Sequence, residues 1–297
     1  MQTDRLIQEE FNRNLGLLTE EQQRRLLETK VAIAGAGGVG GIHAITLARI
    51  GIGGFAIADP DVFEVPNINR QYACFRSTFG RNKAEVLAGV LQDINPEASM
   101  RMFPCAITEE NADAFLDGAD VFIDGIDFFE IEFRRMIFRK CREKGMYAFT
   151  AAPLGFGATL QVFSPRGMTF DDYFGIDDSM QHVDKLAAFA VGLAPNPYHI
   201  RYMDLSKVSL TRKTGPALAL ACTLAASLVA TEVIKLATGK GEVRAVPHYT
   251  QVDLLRNKLK KGYMPMGGKN PLQRLKKWIV LRKALAAERG AQGQSPA

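Results

Sequence analysis

The chain has 297 residues, of which 47% are apolar and 23% are charged, and its formal net charge is +5 at pH 7. These fractions are close to the globular average, so the chain is long enough to form one large core or two modest ones. The most apolar run, Gly215–Ala230, is shorter than the roughly 20 residues of a membrane span, and the polar N-terminus does not resemble a signal peptide. We therefore expect a cytoplasmic protein without a transmembrane segment.

The positive charge is concentrated at the C-terminus. From Leu255 onward, eleven Lys and Arg residues accompany a single acid, Glu288, so this segment carries +10 and the first 254 residues carry −5. The sequence is therefore divided into a body, residues 1–254, and a basic C-terminal segment, residues 255–297. In that segment we predict a helix followed by a disordered tail.

Four cysteines are present, and no two of them form a C-x-x-C pair: Cys74, Cys105, Cys141 and Cys222. Paired thiolates are typical of structural zinc sites, and disulfide frameworks use closely spaced cysteines. The pattern argues against both, so we expect no zinc and interpret each cysteine as a small apolar core residue.

Strand and helix signals alternate along the first half of the chain, after a helical segment at residues 5–28. The predicted strands are Lys30–Ala34, Gly54–Ala58, Met100–Pro104, Asp120–Asp124 and Met146–Ala151. Helical patterns fall between them at about 39–51, 80–93, 108–117 and 128–144. This alternation predicts an α/β fold, a Rossmann-like, doubly wound and mostly parallel sheet with helices on both faces.

The regular pattern ends near residue 164. Residues 165–213 are rich in Asp, Pro, Met and His and show no sustained period, which is typical of a functional loop or lid. A helix is predicted at 216–238, where Gly239 ends it, and two short strands are predicted near 243–254.

A glycine-rich turn follows the first strand directly and opens a helix. Its glycines are Gly35, Gly37, Gly38 and Gly40. In this context backbone N–H groups and a helix N-terminus can face a phosphate. Asp59, at the end of the second strand, is suited to bind a ribose hydroxyl. These features alone fit NAD and ATP equally well.

The residues after Asp59 favour ATP. Arg70 and Lys83 lie thirteen positions apart, on a loop and at the next helix start, and both can approach the nucleotide. A dinucleotide needs no such pair, whereas a triphosphate that is being cleaved does, because charge develops on the leaving pyrophosphate. Asp124 and Asp127 follow an apolar strand at its carboxyl end, and a carboxylate there can hold Mg²⁺.

In these motifs the sequence resembles the adenylation domain of the ubiquitin-activating-enzyme family, whose bacterial members include the ThiF, MoeB and HesA types. The likeness covers roughly residues 8–163 and, more loosely, 215–254. "FNRN" is similar to the family's "YNRQ", and "PNINRQ" to its "SNLxRQ". By this resemblance, the site residues are Arg13, Gly35, Gly37, Gly38, Gly40, Asp59, Asn67, Arg70, Lys83 and Asp127.

The resemblance implies that a carboxylate attacks the α-phosphorus of ATP, forming an acyl-adenylate and releasing pyrophosphate. It gives Asp127 the Mg²⁺-linked role and places Arg13 in the ATP site of a partner subunit, so a homodimer is expected. The expected substrate is the C-terminus of a small carrier protein or a peptide. Positioning and charge neutralisation suffice for such a reaction, because a carboxylate is already ionised at neutral pH.

The sequence departs from the family pattern at three places. The zinc-binding C-x-x-C pairs are absent, and residues 142–221 contain no cysteine that could take the acyl group as a thioester. Cys222 is the nearest candidate, but it lies in an apolar helix and is interpreted as structural. The family's acid-Asn pair is Asp127-Phe128 here. We therefore expect an enzyme that forms the adenylate without an enzyme thioester.

Other charged residues receive structural interpretations. Asp124 is considered a weaker candidate for the functional site than Asp127, because it could simply cap or hydrogen-bond a loop. Arg134 and Arg135 are interpreted as solvated charges of an amphipathic helix, although one could face the nucleotide. A solvated loop is predicted for four acids: Asp171, Asp172, Asp177 and Asp178.

Three alternatives remain open for the function: an enzyme that activates a carboxylate on modified tRNA, a nucleotide-binding scaffold without catalysis, and an NAD-dependent oxidoreductase. The basic C-terminal helix also has three interpretations. It could be a solvated or partner-docking helix, a helix that binds the phosphate backbone of RNA, or an interfacial membrane helix with Trp278 as its anchor.

Overall fold

The structure is a computed structural model that describes residues 2–208 and 215–292, with the side chains of residues 3–208 and 215–282. The strands of this part of the chain are β1 (Lys30–Ala34), β2 (Gly54–Ala58), β3 (Ser99–Phe103), β4 (Val121–Asp124), β5 (Tyr147–Leu154), β6 (Gly157–Phe163), β7 (His248–Asp253) and β8 (Lys258–Tyr263). Its helices are α1 (Gln2–Glu9), α2 (Glu20–Glu28), α3 (Gly38–Arg49), α4 (Lys83–Ile94), α5 (Ala112–Leu116), α6 (Ile131–Glu143), α7 (Phe170–Phe174), α8 (His182–Leu193), α9 (Ala219–Thr238) and α10 (Pro271–Gln292).

The strands form one sheet in the order β3-β2-β1-β4-β5-β6-β7-β8. The first five strands of this order, from β3 through β2, β1 and β4 to β5, pair in parallel. Strands β6, β7 and β8 each pair antiparallel with the preceding strand. The first two crossovers place β2 and then β3 on one side of β1, and the third returns to place β4 on the other side. This is the predicted Rossmann-like, doubly wound fold, extended by an antiparallel edge.

The strand sequences explain why both faces of the sheet are covered. In β1, Val31 and Ile33 belong to one buried cluster, while Ala32 and Ala34 belong to a second cluster on the opposite face. Successive strand residues point to opposite faces, so an apolar run such as β1 needs helices on both. The predicted strands of residues 30–151 and the helices between them are confirmed within a few residues.

The N-terminal helical segment differs from the prediction, because it is two helices instead of one. A short 3-10 turn, Asn12–Asn14, follows α1, and α2 begins only at Glu20. Thr19 caps α2: its hydroxyl accepts from the Gln22 amide, and the Gln22 side chain accepts from the Thr19 amide. This capping box starts a new helix, so the helical segment predicted over residues 5–28 is interrupted.

Residues 165–208 contain ordered helices, which corrects the prediction of an irregular crossover segment. Four aromatic residues of α7 and α8, Phe170, Tyr173, Phe174 and Phe189, are nearly fully buried against one another and against Phe163. With only five residues α7 is too short to show a helical period. Residues 209–213 of that prediction lie outside the described residues.

The sheet continues past residue 254. Strand β8 pairs with β7 from Asp253↔Lys258 to His248↔Tyr263, so the division at 254/255 falls in the turn of a hairpin. The basic helix α10 begins at Pro271 and packs on α8. By length and composition alone, α9 could cross a membrane; here it packs on α3, β5 and β6.

Candidate functional site

The carboxyl ends of β1, β2 and β4 meet at one edge of the sheet. Strand β1 is paired to β2 on one side and to β4 on the other. Because the chain leaves β1 and β4 in opposite directions across the sheet, this is the topological switch point, where open α/β sheets bind ligands. The structure brings Gly35, Asp59 and Asp124 together at this edge.

Two of the four predicted glycines are required by close backbone contacts. Gly35 has φ +92°, and a Cβ atom there would lie 2.1 Å from the carbonyl oxygen of Gly125. A Cβ atom at Gly40 would lie 1.8 Å from the carbonyl oxygen of Gly35. The turn is therefore folded tightly against the loop that follows β4, and α3 begins within it at Gly38.

The other two glycines border side chains of the candidate site. A Cβ atom at Gly37 would lie 3.6 Å from Nε2 of Gln71, and one at Gly38 would lie 3.4 Å from Sγ of Cys222 and 3.5 Å from Cγ of Arg70. The glycine turn is thus flanked by the loop that carries Arg70 and by α9. Cys222 is 1% exposed, and burial raises the pKa of its thiol to about 11.

Asp59 is tied to the glycine turn. Its Oδ2 accepts a hydrogen bond from the Ala36 amide at 2.7 Å, and its Oδ1 accepts one from the Asp61 amide at 2.9 Å. Burial raises the pKa of this carboxyl, and the two amide donors oppose that shift. The hydrogen bond from the Ala36 amide therefore connects the glycine turn to the carboxyl end of β2.

The loop with Asn67 and Arg70 lies beside α9. Asn67 accepts from the Glu64 amide at 3.0 Å through its Oδ1, which closes a short turn. The Arg70 Nη1 donates to the carbonyl of Pro66 at 3.1 Å and to Oδ1 of Asn69 at 2.9 Å. These hydrogen bonds involve neutral groups, so the guanidinium charge of Arg70 is not paired with a carboxylate in them.

Lys83 is the first residue of α4 and lies close to the same edge of the sheet. Asn82 caps this helix by accepting from the Glu85 amide, and it donates to the carbonyl of Asp59 at 3.1 Å. The Lys83 ammonium lies 3.0 Å from Oδ2 of Asp61. The Lys83 side chain is 9% exposed and that of Asp61 is 66% exposed. The lysine is therefore buried, while its carboxylate partner lies at the surface.

The loop after β4 presents Asp127 and encloses a buried ion pair. Asp127 is exposed, and its Oδ1 accepts from the Phe129 amide at 2.9 Å. Asp124 is 3% exposed and pairs with Nε of Arg134 at 2.8 Å. Arg134 is therefore a buried partner of the loop and not a solvated charge. This pairing joins a strand end to a helix ten residues later, for which the sequence has no local signal.

Arg135 is likewise not a solvated charge. Its guanidinium binds Asp171 through two hydrogen bonds, of 2.9 and 2.7 Å, and reaches Asp178 at 2.8 Å. Asp172 pairs with Lys269 at 3.0 Å. Asp171 and Asp172 therefore connect the crossover segment to α6 and to the C-terminal region, whereas Asp177 and Asp178 are exposed, as the prediction of a solvated loop requires.

Arg13 lies away from this edge of its own chain. It is an exposed residue of the turn Asn12–Asn14, and the neighbouring Asn14 donates to the carbonyl of Ile50, just after the C-terminal end of α3. Because α3 has 12 residues, its two ends are about 18 Å apart, and the glycine turn is at the other end.

The donor set fits a nucleotide-bound Mg²⁺ better than an ion held by protein alone. Among the residues with described side chains, no three His, Cys, Asp or Glu residues cluster to hold a metal. Mg²⁺ commonly uses one or two carboxylates together with water and substrate phosphates. The exposed carboxylate of Asp127, beside the glycine turn, has this character.

The fold and this edge define a nucleotide-binding α/β protein. More closely, the chain belongs to the ThiF family, whose model matches residues 11–274. The resemblance found in the motifs is thereby confirmed for most of the chain.

Two curated proteins illustrate this relationship. A segment of 108 residues is 35% identical to the tRNA threonylcarbamoyladenosine dehydratase of Bacillus subtilis (strain 168), covering 36% of this chain and 42% of that protein. A segment of 150 residues is 31% identical to the sulfur carrier protein ThiS adenylyltransferase of Escherichia coli (strain K12), covering 48% and 56% respectively. In each case the match spans less than two thirds of the relative.

Solved structures share the fold. The crystal structure of E. coli MccB with ATP has a TM-score of 0.66 at 21% identity, over 87% of this chain and 72% of that one. The PaaA structure has a TM-score of 0.64 at 19% identity, over 86% and 72%. At such identities the likeness concerns the fold alone.

Proposed function

We propose that this chain is a Mg-ATP-dependent adenylyltransferase that activates a carboxylate as an acyl-adenylate. The observation that carries the proposal is the set of charged side chains around a glycine turn at the switch point. Arg70 and Lys83 supply positive charge on one side, and Asp127 supplies a carboxylate on the other. A dinucleotide that stays whole has no need of this set, whereas a triphosphate that is cleaved does.

The proposed chemistry is a single displacement. A carboxylate oxygen of the substrate forms a bond to the α-phosphorus of ATP, the bond from that phosphorus to the bridging oxygen breaks, and pyrophosphate leaves with the electron pair. The amides of the glycine turn orient the phosphates, and Asp59 binds the ribose. Lys83 and Arg70 neutralise the charge that develops on the leaving pyrophosphate. Mg²⁺ held at Asp127 would offset further phosphate charge.

Lys83 must exchange partners in this proposal. In the structure its ammonium is paired with Asp61, an exposed aspartate. A phosphate oxygen that replaces this carboxylate offers the ammonium a more highly charged partner at the same edge. The pairing therefore holds the lysine ready without neutralising it permanently.

A homodimer completes the proposed site. Arg13 is about a helix length away from the glycine turn of its own subunit, so it can contribute only if it reaches the site of another copy. We also propose that the enzyme is soluble and cytoplasmic and has no zinc site.

The proposed substrate is the C-terminus of a small carrier protein or of a peptide. The E. coli relative acts on the sulfur carrier ThiS. The buried thiol of Cys222, with its raised pKa, is poorly suited to form a thioester, because the thiolate is the nucleophilic form. The adenylate would then pass directly to the final nucleophile.

A second candidate is a carboxylate on modified tRNA. The B. subtilis relative is a tRNA threonylcarbamoyladenosine dehydratase. In this chain nine Lys and Arg residues and no acid fall between residues 255 and 282, which could serve phosphate-backbone binding. Removing residues 265–297 and measuring RNA affinity against salt concentration tests this candidate.

The adenylation proposal is tested by ATP–pyrophosphate exchange with small proteins or peptides encoded next to this chain. Exchange should require the right substrate and should fall steeply in Arg70→Ala, Lys83→Ala and Asp127→Ala. Normal exchange in all three variants would contradict it. Tight NADH binding without ATP binding would favour an oxidoreductase, and ATP binding without turnover would favour a scaffold.

A further inference from the structure

Arg134 is almost fully buried beside the candidate site, and the hydrogen bonds of its guanidinium run to Asp124 at the end of β4 and to the loop that carries Asp127. It is 2% exposed, and its Nε donates to Oδ2 of Asp124 at 2.8 Å. Its Nη2 donates to the carbonyl oxygens of Ile126 at 2.6 Å and Asp127 at 3.1 Å. One guanidinium therefore bonds to the strand end before the loop and to two carbonyls within it.

Asp124 fixes the same loop from its other side. Its Oδ1 accepts from the Ile126 amide at 3.1 Å, and its Oδ2 also accepts from the Thr150 hydroxyl of β5 at 2.7 Å. The backbone N–H of Ile126 is thereby bonded to Asp124, and its carbonyl oxygen is bonded to Arg134. The direction of the backbone entering Asp127 is consequently determined by Asp124 and Arg134.

The loop held in this way is also the surface on which the glycine turn rests. The Gly125 amide donates to the carbonyl of Ala34 at 2.8 Å. A Cβ atom at Gly125 would lie 2.6 Å from the Gly35 carbonyl oxygen and 2.8 Å from the Gly40 Cα. A shift of the loop would therefore move both the carboxylate of Asp127 and the amides that face the phosphates.

The geometry points to Arg134 as a positioning residue: we propose that it holds the Asp127 carboxylate in place for Mg-ATP and is not itself in contact with the nucleotide. This inference rests on the adenylyltransferase proposal. Partners that orient a metal-binding carboxylate commonly influence metal affinity as strongly as about 10- to 100-fold.

The ring of Phe189 packs against the guanidinium of Arg134, whose buried Nη1 has no hydrogen-bond partner among the described residues. The guanidinium carbon lies 4.5 Å from the centroid of this ring, which belongs to α8. Phe128, adjacent to Asp127, packs on the same ring at 5.4 Å between centroids. The crossover helix thus covers the positioning residue and excludes water from the ion pair.

The test is the Mg²⁺ dependence of ATP binding, measured by titration calorimetry on the full chain. Arg134→Lys keeps the charge that Asp124 needs, but an ammonium cannot reproduce the guanidinium fork to Ile126 and Asp127. We expect the Mg²⁺ concentration needed for half-maximal enhancement of ATP binding to rise about tenfold. Circular dichroism checks that the variant is folded.

The neighbouring arginine provides a matched control. Arg135 lies on the same helix and is also bound to carboxylates, but its partners are Glu132 of that helix and Asp171 and Asp178 of the crossover segment, none of them in the loop that carries Asp127. Arg135→Lys should leave the Mg²⁺ dependence unchanged. If Arg134→Lys does not fold, the double variant Asp124→Asn with Arg134→Gln removes both buried charges and should show the same rise.

A second background separates positioning from general destabilisation. In an Asp127→Asn background, Arg134→Lys should have no further effect on the Mg²⁺ dependence, because the carboxylate through which it acts is gone. An effect of Asp127→Asn without one of Arg134→Lys would overturn this inference alone. No effect of Asp127→Asn would overturn the metal role in the proposed function and this inference with it.

Discussion

Gly35 and Gly125 are in direct backbone contact: a Cβ atom at Gly35 would lie 2.1 Å from the carbonyl oxygen of Gly125. The contact joins the turn after β1 to the loop after β4, across the point where the sheet changes direction. Groups that come from distant parts of the sequence, the glycine amides and Asp127, are held in one place by it. Their mutual position is therefore a property of the backbone.

The glycine contacts predict a contrast within one motif. In Gly40→Ala, the added Cβ would lie 1.8 Å from a backbone oxygen, so the turn must move and ATP affinity should fall at least about fivefold, since overpacking typically costs about 1–3 kcal/mol. Gly37→Ala meets only the Gln71 amide at 3.6 Å and should bind ATP nearly normally. Equal losses measured by calorimetry would contradict this account of the turn.

The buried lysine predicts a loss of catalysis. Lys83→Met keeps most of the apolar stem but removes the ammonium, and substrate-dependent exchange should fall by about 100-fold or more, the effect of losing one preorganised donor of this kind. Arg81→Ala is a matched control, because this exposed arginine lies two residues away and outside the set. If the control lost as much exchange as Lys83→Met, the role assigned to Lys83 would not hold.

The cysteines predict the absence of a covalent intermediate. Cys105 is exposed, whereas Cys74, Cys141 and Cys222 are buried, so a thiol reagent should label Cys105 first in the native protein. Burial raises the pKa of Cys222 to about 11, which leaves it protonated at neutral pH. Cys222→Ala should retain adenylation and transfer. A reductant-sensitive substrate adduct that disappears in this variant would show a thioester after all.

A buried histidine predicts a dependence of stability on pH. His43 is 1% exposed, neither ring nitrogen has a hydrogen-bond partner, and burial lowers its pKa to about 3 from 6.5. Because the unfolded chain binds this proton more readily, stability is lost as pH falls from 6.5 toward 3. The term amounts to about 2 kcal/mol between pH 7 and pH 5.

Urea unfolding at the two pH values measures this term. His43→Leu should show a smaller loss of unfolding free energy between pH 7 and pH 5 than the unchanged chain, since Leu cannot be protonated. If both proteins lose the same amount, the histidine is not buried in its neutral form.

The parts of the fold with strong local signals are predictable from sequence. Strands β1 and β2 have the predicted bounds, because each is an apolar run that a glycine or an aspartate ends. Helix α7 is not predicted, since five residues show no period and its aromatic residues pack on distant segments. The hairpin that β8 forms with β7 is not predicted, because the lysine-rich sequence of β8 is typical of a solvated tail.

The candidate site divides in the same way. The glycines and Asp59 belong to one strand-turn-helix-strand motif, so their spacing predicts that they meet at one sheet edge, as they do. The partnership of Asp124 with Arg134 depends instead on how α6 packs against β4, and neither residue alone indicates it. Sequence spacing identifies candidate side chains, whereas packing decides which of them are solvated.

The most direct test of the account is the fate of a carboxyl oxygen. A substrate peptide or carrier protein identified by exchange is labelled with ¹⁸O in its C-terminal carboxylate and incubated with Mg-ATP, the enzyme and the final nucleophile, and the AMP is then analysed by mass spectrometry. Attack of the carboxylate on the α-phosphorus predicts one ¹⁸O atom in AMP and none in pyrophosphate. Unlabelled AMP, or ADP and phosphate as the products, would contradict it.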